Sequence, residues 1–268
     1  MIKTINIISF TICNFIAVTF FSQDLQLSFS EHVPYESNYK AIRCINYNSK
    51  HLLFQSKKKS KNCDIKVNVF DEDFKNKNQF NFNIDNEKLV GVRLLFNNIV
   101  LFTTLNNGVE TVLRTRIFDV SSKFLAPKNI FSEANKSGYP SFFKLADEAF
   151  DDSFNVLVEL PFQNGKNEDI KLITLDNSLQ VINEVYNKLE IKFESKRDNR
   201  LLISNNGKIY LLKKTWNRGN NFYLYSLGKQ IINEKEIKLN QRKIAALDFF
   251  FNSKDELVLS GFYSSPVL

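Results

Sequence analysis

The sequence of 268 residues predicts an all-β fold built from repeated antiparallel sheets. Five apolar runs, each preceded by a polar turn, recur along the chain and begin at His51, Ile99, Asn155, Ile209 and Leu257. Short links containing Asn or Gly join apolar runs within each unit. Such links are typical of β-hairpins, because Asn and Gly accept the positive φ angles of tight turns.

The spacing of the repeat predicts which all-β fold this is. Each run has an anchor residue near its start, and successive anchors lie 48 to 56 residues apart, at Leu52, Val100, Val156, Tyr210 and Val258. This period exceeds that of leucine-rich or ankyrin repeats and matches the four-stranded antiparallel blade of a β-propeller. The predicted units cover residues 41–85, 89–133, 141–193, 199–240 and 242–268.

Four strands, A to D, are predicted in a complete unit. Strands A and B form a hairpin, as in residues 94–96 and 99–101 across Asn97 and Asn98. Strand D is clearest where apolar residues alternate strictly, at Phe80, Phe82 and Ile84, which is the period of a half-buried strand. Strand C ends on an apolar residue followed by an acid in three units, at Asp71, Asp119 and Asp176.

The number of blades stays open, because the fifth unit ends after its second strand. Residues 24–30 (DLQLSFS) alternate like a strand and are predicted to add to that unit, which would then have three strands. The alternative is that the chain is a fragment of a longer propeller of about six to eight blades.

The last unit carries a resemblance to known proteins. Residues 256–264 (ELVLSGFYS) resemble a recurring blade segment of exported bacterial propeller proteins that have no assigned activity. The resemblance implies the propeller fold and an exported location. It implies no catalytic residues.

Residues 1–22 are predicted to be a secretory signal peptide. Lys3 supplies the positive charge, and residues 7–21 form an apolar stretch shorter than the roughly 20 residues of a spanning helix. Ser22 suits cleavage, but Phe20 is larger than the usual small residue, which leaves an uncleaved anchor as the alternative. The propeller domain, residues 23–268, is expected in the periplasm, at the cell surface or outside the cell, with no membrane span.

The positive charge of the chain does not indicate a nucleic-acid partner. The net charge is +7, and the sequence pI is about 9.1. The lysines are scattered through Asn-rich loops, and an exported protein meets little nucleic acid, so we interpret the charge as a solubilising surface.

No catalytic residue, metal site or cofactor motif is predicted. The chain has two histidines, His32 and His51, and it lacks the HExxH, CxxC and GxSxG motifs. The acids that follow strand C fit chain turns better than a catalytic carboxylate set, because Asp bonds the backbone two residues on. We therefore expect a non-enzymatic binding or scaffold module for a protein, peptide or glycan, with a carbohydrate-active enzyme as the alternative.

The candidate binding residues lie where B–C and D–A loops surround one mouth of the propeller channel. Trp216 and Arg218 are in one B–C loop and Lys166 is in another, and Tyr263 of the last unit completes the set. A tryptophan beside an arginine suits contact with a sugar or peptide. The alternative for Trp216 is packing between blades.

Cys44 and Cys63 are predicted to remain unpaired thiols. Cys44 lies in strand A and Cys63 begins strand C, so strand B separates them by two strand spacings, about 9.6 Å. A disulfide needs Cα atoms within about 7 Å. We expect both cysteines to act as small apolar fillers in the core.

Overall fold

Nineteen strands form five antiparallel sheets in the computed structural model, which describes residues 38–58, 62–119, 123–136, 138–161, 167–192, 198–216, 220–228, 233–238 and 243–264. No helix occurs among these residues, and hence none that is long and apolar enough to cross a membrane. The predicted signal peptide and the predicted closing strand, residues 24–30, lie outside the described residues.

The strands follow one another in space as they do along the chain. Sheet 1 comprises β1 (Lys40–Tyr47), β2 (Lys50–Lys58), β3 (Cys63–Phe70) and β4 (Asn76–Ile84). Sheet 2 comprises β5 (Glu87–Leu95), β6 (Asn98–Asn106), β7 (Glu110–Asp119), β8 (Lys123–Phe124) and β9 (Lys128–Ala134). Its outer strand is interrupted, because β8 pairs with the end of β7 and β9 pairs with its beginning.

The remaining sheets repeat this up-and-down order. Sheet 3 comprises β10 (Phe142–Leu145), β11 (Phe154–Glu159), β12 (Asn167–Leu175) and β13 (Val181–Lys192). Sheet 4 comprises β14 (Asp198–Ile203), β15 (Ile209–Trp216), β16 (Asn220–Leu227) and β17 (Asn233–Ile237). Sheet 5, within the described residues, is the hairpin of β18 (Lys243–Phe251) and β19 (Leu257–Ser264).

The core lies between successive sheets. One cluster of buried side chains joins sheets 1 and 2, including Phe54 and Leu101. A second joins sheets 2, 3 and 4, and a third joins sheets 4 and 5 through Leu212 and Phe249. Consecutive four-stranded meanders that pack face to face are the blades of a β-propeller, so the predicted fold class is confirmed.

The anchors all lie in the second strand of a sheet, but one of them faces the other way. Phe102 contacts Phe154 across the junction of sheets 2 and 3, with ring centroids 5.6 Å apart. Val100 therefore points toward sheet 3, while Val156, two residues beyond Phe154, points back toward sheet 2. The equivalence predicted for Val156 is wrong by one residue, because a longer link, residues 146–153, precedes β11.

The hairpin between β5 and β6 also differs from its predicted form. The turn residues are Phe96 and Asn97, with φ of 50° and 61°, and Asn98 already belongs to β6. Positive φ at both central residues is the hairpin geometry whose twist matches that of the strands. Asn48 and Ser49 form the corresponding turn in sheet 1, with φ of 48° and 56°.

The acids that follow strand C act as turn residues where their side chains are described. Asp71 Oδ1 accepts a hydrogen bond from the Lys75 amide at 2.8 Å. Asp176 Oδ1 accepts from the amides of Ser178 and Gln180, each at 2.9 Å. These bonds close the link to the outer strand, which is the role predicted for Asp71 and Asp176.

The two described cysteines are free, as expected from the strand order. Strand β2 lies between β1, which holds Cys44, and β3, which begins with Cys63. Cys63 is buried in the core of sheets 1 and 2, and this burial, with the nearby Asp64, raises the pKa of its thiol. Cys44 is exposed, so its predicted role as a core filler is wrong.

A charged pair is buried at the junction of sheets 3 and 4. The ammonium of Lys213 contacts the Glu168 carboxylate, and neither side chain is exposed to solvent. Asn199 donates to Glu159 at 2.8 Å and to Glu168 at 3.5 Å. Lys213 also donates to Asn199 Oδ1 at 3.3 Å, so each group in this polar network is bonded to another.

The packing of sheet 2 on sheet 1 should depend strongly on Phe118. Its ring lies 6.0 Å from that of Phe54, 5.9 Å from Phe82 and 5.1 Å from Phe124. Phe118→Ala should lower the free energy of unfolding by about 3–5 kcal/mol, through lost burial and the cavity left behind. Urea unfolding measures this, and Phe262→Ala, at a ring that is 78% exposed, should change it by less than about 0.5 kcal/mol. Equal losses in the two variants would contradict the packing described.

Candidate functional site

The structure reports on two of the four predicted binding residues. Trp216 ends β15, where its backbone pairs with Asn220, and Tyr263 lies near the end of β19 and is exposed. Lys166 and Arg218 lie outside the described residues. Trp216 and Tyr263 lie at the same end of the sheets, which is the end where the second strands finish. A binding role for these four residues stays a prediction.

A different set of charged residues meets inside the propeller. The first strand of a blade is the one nearest the central channel. Arg43 of β1, Arg93 of β5, Arg200 of β14 and Asp248 of β18 come from four first strands, and Asp147 follows the first strand of sheet 3. We call these five residues the channel cluster.

Three guanidinium groups of the channel cluster converge on one carboxylate. Asp147 Oδ1 lies 3.9 Å from Arg43 Nη1 and 3.6 Å from Arg93 Nη2, and Asp147 Oδ2 lies 3.5 Å from Arg200 Nη2. Arg200 also contacts the carboxylate of Asp248. The cluster thus links sheets 1, 2, 3, 4 and 5 through side chains.

Backbone carbonyls fix two of the arginines in place. Arg43 Nη2 donates to the carbonyl of Asp147 at 3.1 Å. Arg93 Nε donates to the carbonyl of Ala146 at 2.7 Å, and its Nη1 donates to that of Val92 at 2.9 Å. The side chain of Arg93 is 13% exposed, while those of Arg43 and Arg200 are 32% and 43% exposed. Arg93 is therefore the buried arginine of the cluster, and Arg43 and Arg200 are the two whose hydrogen-bond donors are accessible from the channel.

The channel cluster carries an excess of positive charge, with three arginines against two aspartates. Burial, and then the neighbouring charge of Arg43, lower the pKa of Arg93 to about 10, although Asp147 opposes the change. Arg93 remains charged at neutral pH, and it is repelled by Arg43. A further anion in the channel would relieve this repulsion, and guanidinium groups bind carboxylates and phosphates in bidentate fashion.

A repeated pattern in the sequence marks four of these five residues. In the first strand of each sheet, a charged residue stands directly between two uncharged ones, in AIRCI, GVRLL, FFKLA, DNRLL and ALDFF. In sheet 3 this residue is Lys144 of β10, which is not part of the channel cluster, and Asp147 lies outside the pattern. Alignment of the A strands across units would have revealed the pattern, whereas each charge taken alone looks like an ordinary strand residue.

Another buried charge lies within sheet 2, at Glu87. Its carboxylate accepts hydrogen bonds from Arg114 at 2.9 Å and from Arg116 at 2.6 Å, and it also accepts from the hydroxyl of Thr103. Burial alone would raise the pKa of Glu87, but hydrogen bonds from Arg116, Thr103 and Arg114 outweigh it and lower the pKa to about 2. Glu87 is thus an ionised group that joins three strands of one blade.

No three His, Cys, Asp or Glu side chains are grouped among the described residues in a way that could hold a metal ion. His51 hydrogen-bonds Asn46 at 2.7 Å and stacks on Phe74, with ring centroids 4.1 Å apart. Such a histidine stabilises a surface turn.

Comparison with known proteins identifies no family for the chain, because no family model and no curated protein matches it. A point mutant of the Synechocystis apocarotenoid oxygenase is 8% identical with a TM-score of 0.40, over 75% of this chain and 49% of that one. The β-propeller domain of the Trilobed protease from Pyrococcus furiosus is 12% identical with a TM-score of 0.43, over 85% of this chain and 70% of that one. The chain spans about half the length of the oxygenase. Neither likeness assigns an activity to it.

The stabilisation by Glu87 should depend on pH in a defined window. Its pKa falls from the ordinary 4.5 to about 2 on folding, so its contribution is complete above pH 4.5 and is lost as the pH drops toward 2. Glu87→Gln should cost about 3 kcal/mol at pH 7, and the gap from wild type should shrink between pH 4.5 and 2. Urea unfolding at a series of pH values measures the gap.

The matched control for this prediction is Glu184→Gln, at an exposed site on β13. It should change the unfolding free energy by less than about 0.5 kcal/mol at any pH. A gap for Glu87→Gln that stays constant from pH 7 to pH 2 would contradict the role given to the Glu87 carboxylate.

Proposed function

We propose that this chain is an exported, non-enzymatic β-propeller that binds a protein, peptide or glycan. An acidic group of the ligand binds to the arginines of the channel cluster. The observation that carries the proposal is the convergence of Arg43, Arg93 and Arg200 on the single carboxylate of Asp147. Arginine is the residue best suited to recognise a planar acidic group, because its donors form a rigid fork.

The position of the cluster supports binding rather than a purely structural role. A cluster that served only to join the sheets would need no excess charge and no exposed donors. Arg200 and Asp248 have side chains that are 43% and 60% exposed, so the solvent in the channel reaches them. Charge in a confined channel also concentrates oppositely charged ligands.

The alternative function, a carbohydrate-active enzyme, needs two carboxylates on either side of the scissile bond. Asp147 and Asp248 are two channel carboxylates, and both contact Arg200. Because a guanidinium group occupies the space between them, this arrangement favours binding over hydrolysis.

The binding proposal predicts that loss of the accessible arginines weakens binding of short acidic ligands. Tetraglutamate and tetragalacturonate serve as probes, one a peptide and one a glycan. Arg43→Ala with Arg200→Ala should weaken binding of the preferred probe roughly 10- to 100-fold, because charged hydrogen bonds are lost. Isothermal titration calorimetry at low and high salt measures this, and higher salt should weaken the wild-type affinity.

The control variant is Lys188→Ala, which removes a positive charge from the outer strand β13 at an exposed position. It should leave the affinity within about twofold of wild type. Equal weakening by Lys188→Ala, or no binding of either probe by wild type, would contradict a specific channel site. If the wild-type protein released shorter sugars from tetragalacturonate and Asp147→Asn did not, the result would instead favour the enzyme alternative.

Export is part of the proposal and rests on the composition of residues 1–22. Expression of the full chain in a bacterial host should yield a processed protein outside the cytoplasm that begins near Gln23. Amino-terminal sequencing of the exported fraction measures this. Recovery of the protein in the cytoplasm with Met1 retained would contradict export, and recovery in the membrane with an intact amino terminus would favour the uncleaved anchor.

A further inference from the structure

A cavity that is distinct from the channel cluster opens at the end of the propeller where the second strands of the sheets finish. It encloses about 760 Å³ and lies where sheets 1 and 2 meet the start of sheet 3. Its wall includes Asn62 of sheet 1, Asn86 and Asn106 of sheet 2, and Ser141 and Phe142 at the start of sheet 3. Binding cavities for small ligands typically measure roughly 300–1,000 Å³. We call it the mouth cavity.

The loop on one side of the mouth cavity is held rigidly. Asn106 Oδ1 accepts hydrogen bonds from the Gly108 amide at 2.8 Å and from Asn135 Nδ2 at 3.0 Å. Thr111 donates to Asn135 Oδ1 at 2.8 Å. These bonds tie the link between β6 and β7 to the residue after β9. A ligand would therefore meet a wall that is already formed, which reduces the entropy lost on binding.

Ser141 points to a missing ligand group in the mouth cavity. Ser141 is 3% exposed and is one of the residues that line the cavity, and its buried Oγ has no hydrogen-bond partner in the described structure. A buried hydroxyl without a partner is unfavourable, and almost all buried polar groups in proteins are satisfied. A ligand that supplies a donor or an acceptor would complete this serine.

The wall of the mouth cavity is mostly uncharged, which favours a neutral ligand. Its charged lining residues are Glu87, whose carboxylate is balanced by Arg114 and Arg116, and Lys88, which is exposed to solvent. The remaining polar wall is mostly amide and hydroxyl, and such groups both donate and accept hydrogen bonds, as sugar hydroxyls do. Phe142 is 52% exposed at the rim and offers an apolar surface to the C–H face of a sugar ring.

We propose that the mouth cavity binds a neutral carbohydrate residue. Ser141 Oγ bonds a sugar hydroxyl, the asparagine amides bond its neighbours, and Phe142 covers the apolar face of the ring. This site does not rest on the channel cluster, which lies on the first strands and prefers acidic groups. A glycan that carried both neutral and acidic units would engage the two sites with different parts.

The test uses the full chain and a set of neutral tetrasaccharides with malto-, cello-, xylo-, manno- and chito-linkages. Isothermal titration calorimetry should detect binding of at least one of them. Phe142→Ala should weaken that binding at least tenfold, and Ser141→Ala should weaken it several-fold. Both variants should unfold at the same urea concentration as wild type, since Ser141 Oγ makes no bond within the described structure and Phe142 is exposed.

Two controls separate this site from others. Phe262→Ala, which removes an exposed phenylalanine from sheet 5, should leave tetrasaccharide binding unchanged. The double variant Arg43→Ala with Arg200→Ala should also leave tetrasaccharide binding unchanged, even if it abolishes binding of the acidic probes. Failure of one proposal can therefore be distinguished from failure of the other. The proposal is overturned if no neutral tetrasaccharide binds at millimolar concentration, if Ser141→Ala and Phe142→Ala bind as wild type does, or if these variants lose binding of tetraglutamate instead.

Discussion

The structure depends on one constraint, which is that the middle strands of each inner sheet are covered on both faces. All six residues of β11 are buried, although alternate side chains point toward different neighbouring sheets. Such a strand must be apolar throughout or carry polar groups that are bonded within the junction. Because every inner sheet meets this requirement through its neighbours, no sheet is stable in isolation, and the propeller folds as a set.

The same constraint explains how far the fold could be predicted from the sequence. Apolar runs at a regular period are a local signal, and the hairpin turns between them are local too. The sheets and their strand order can therefore be predicted from the sequence. The face that a residue presents depends on the register in which its strand pairs, and a shift of that register by one residue reverses the face. The register explains why the equivalence predicted for Val156 is wrong, and the turn predicted at Asn97 and Asn98 is displaced by one residue, to Phe96 and Asn97.

The candidate site was harder to predict, because its residues are far apart in the sequence. Arg43 and Arg200 meet Asp147 only when five sheets have been placed around an axis. In the sequence, aromatic and basic residues stand out in the predicted loops, whereas a single charge inside an apolar strand looks like an ordinary strand residue. The lack of a hydrogen-bond partner for the Ser141 hydroxyl cannot be predicted from the sequence, because three sheets together form its surroundings.

The buried pair of Lys213 and Glu168 has a consequence for how this propeller could have changed during evolution. Propellers grow and shrink by duplication or loss of whole blades, which is easy where a junction is apolar and any blade fits its neighbour. The junction of sheets 1 and 2 contains an extensive apolar cluster of that kind. The junction of sheets 3 and 4 combines apolar side chains with this ion pair, and a blade inserted there would leave a lysine and a glutamate buried without each other. A change in blade number at this junction would therefore require both charged residues to be replaced together, whereas an apolar junction carries no such requirement.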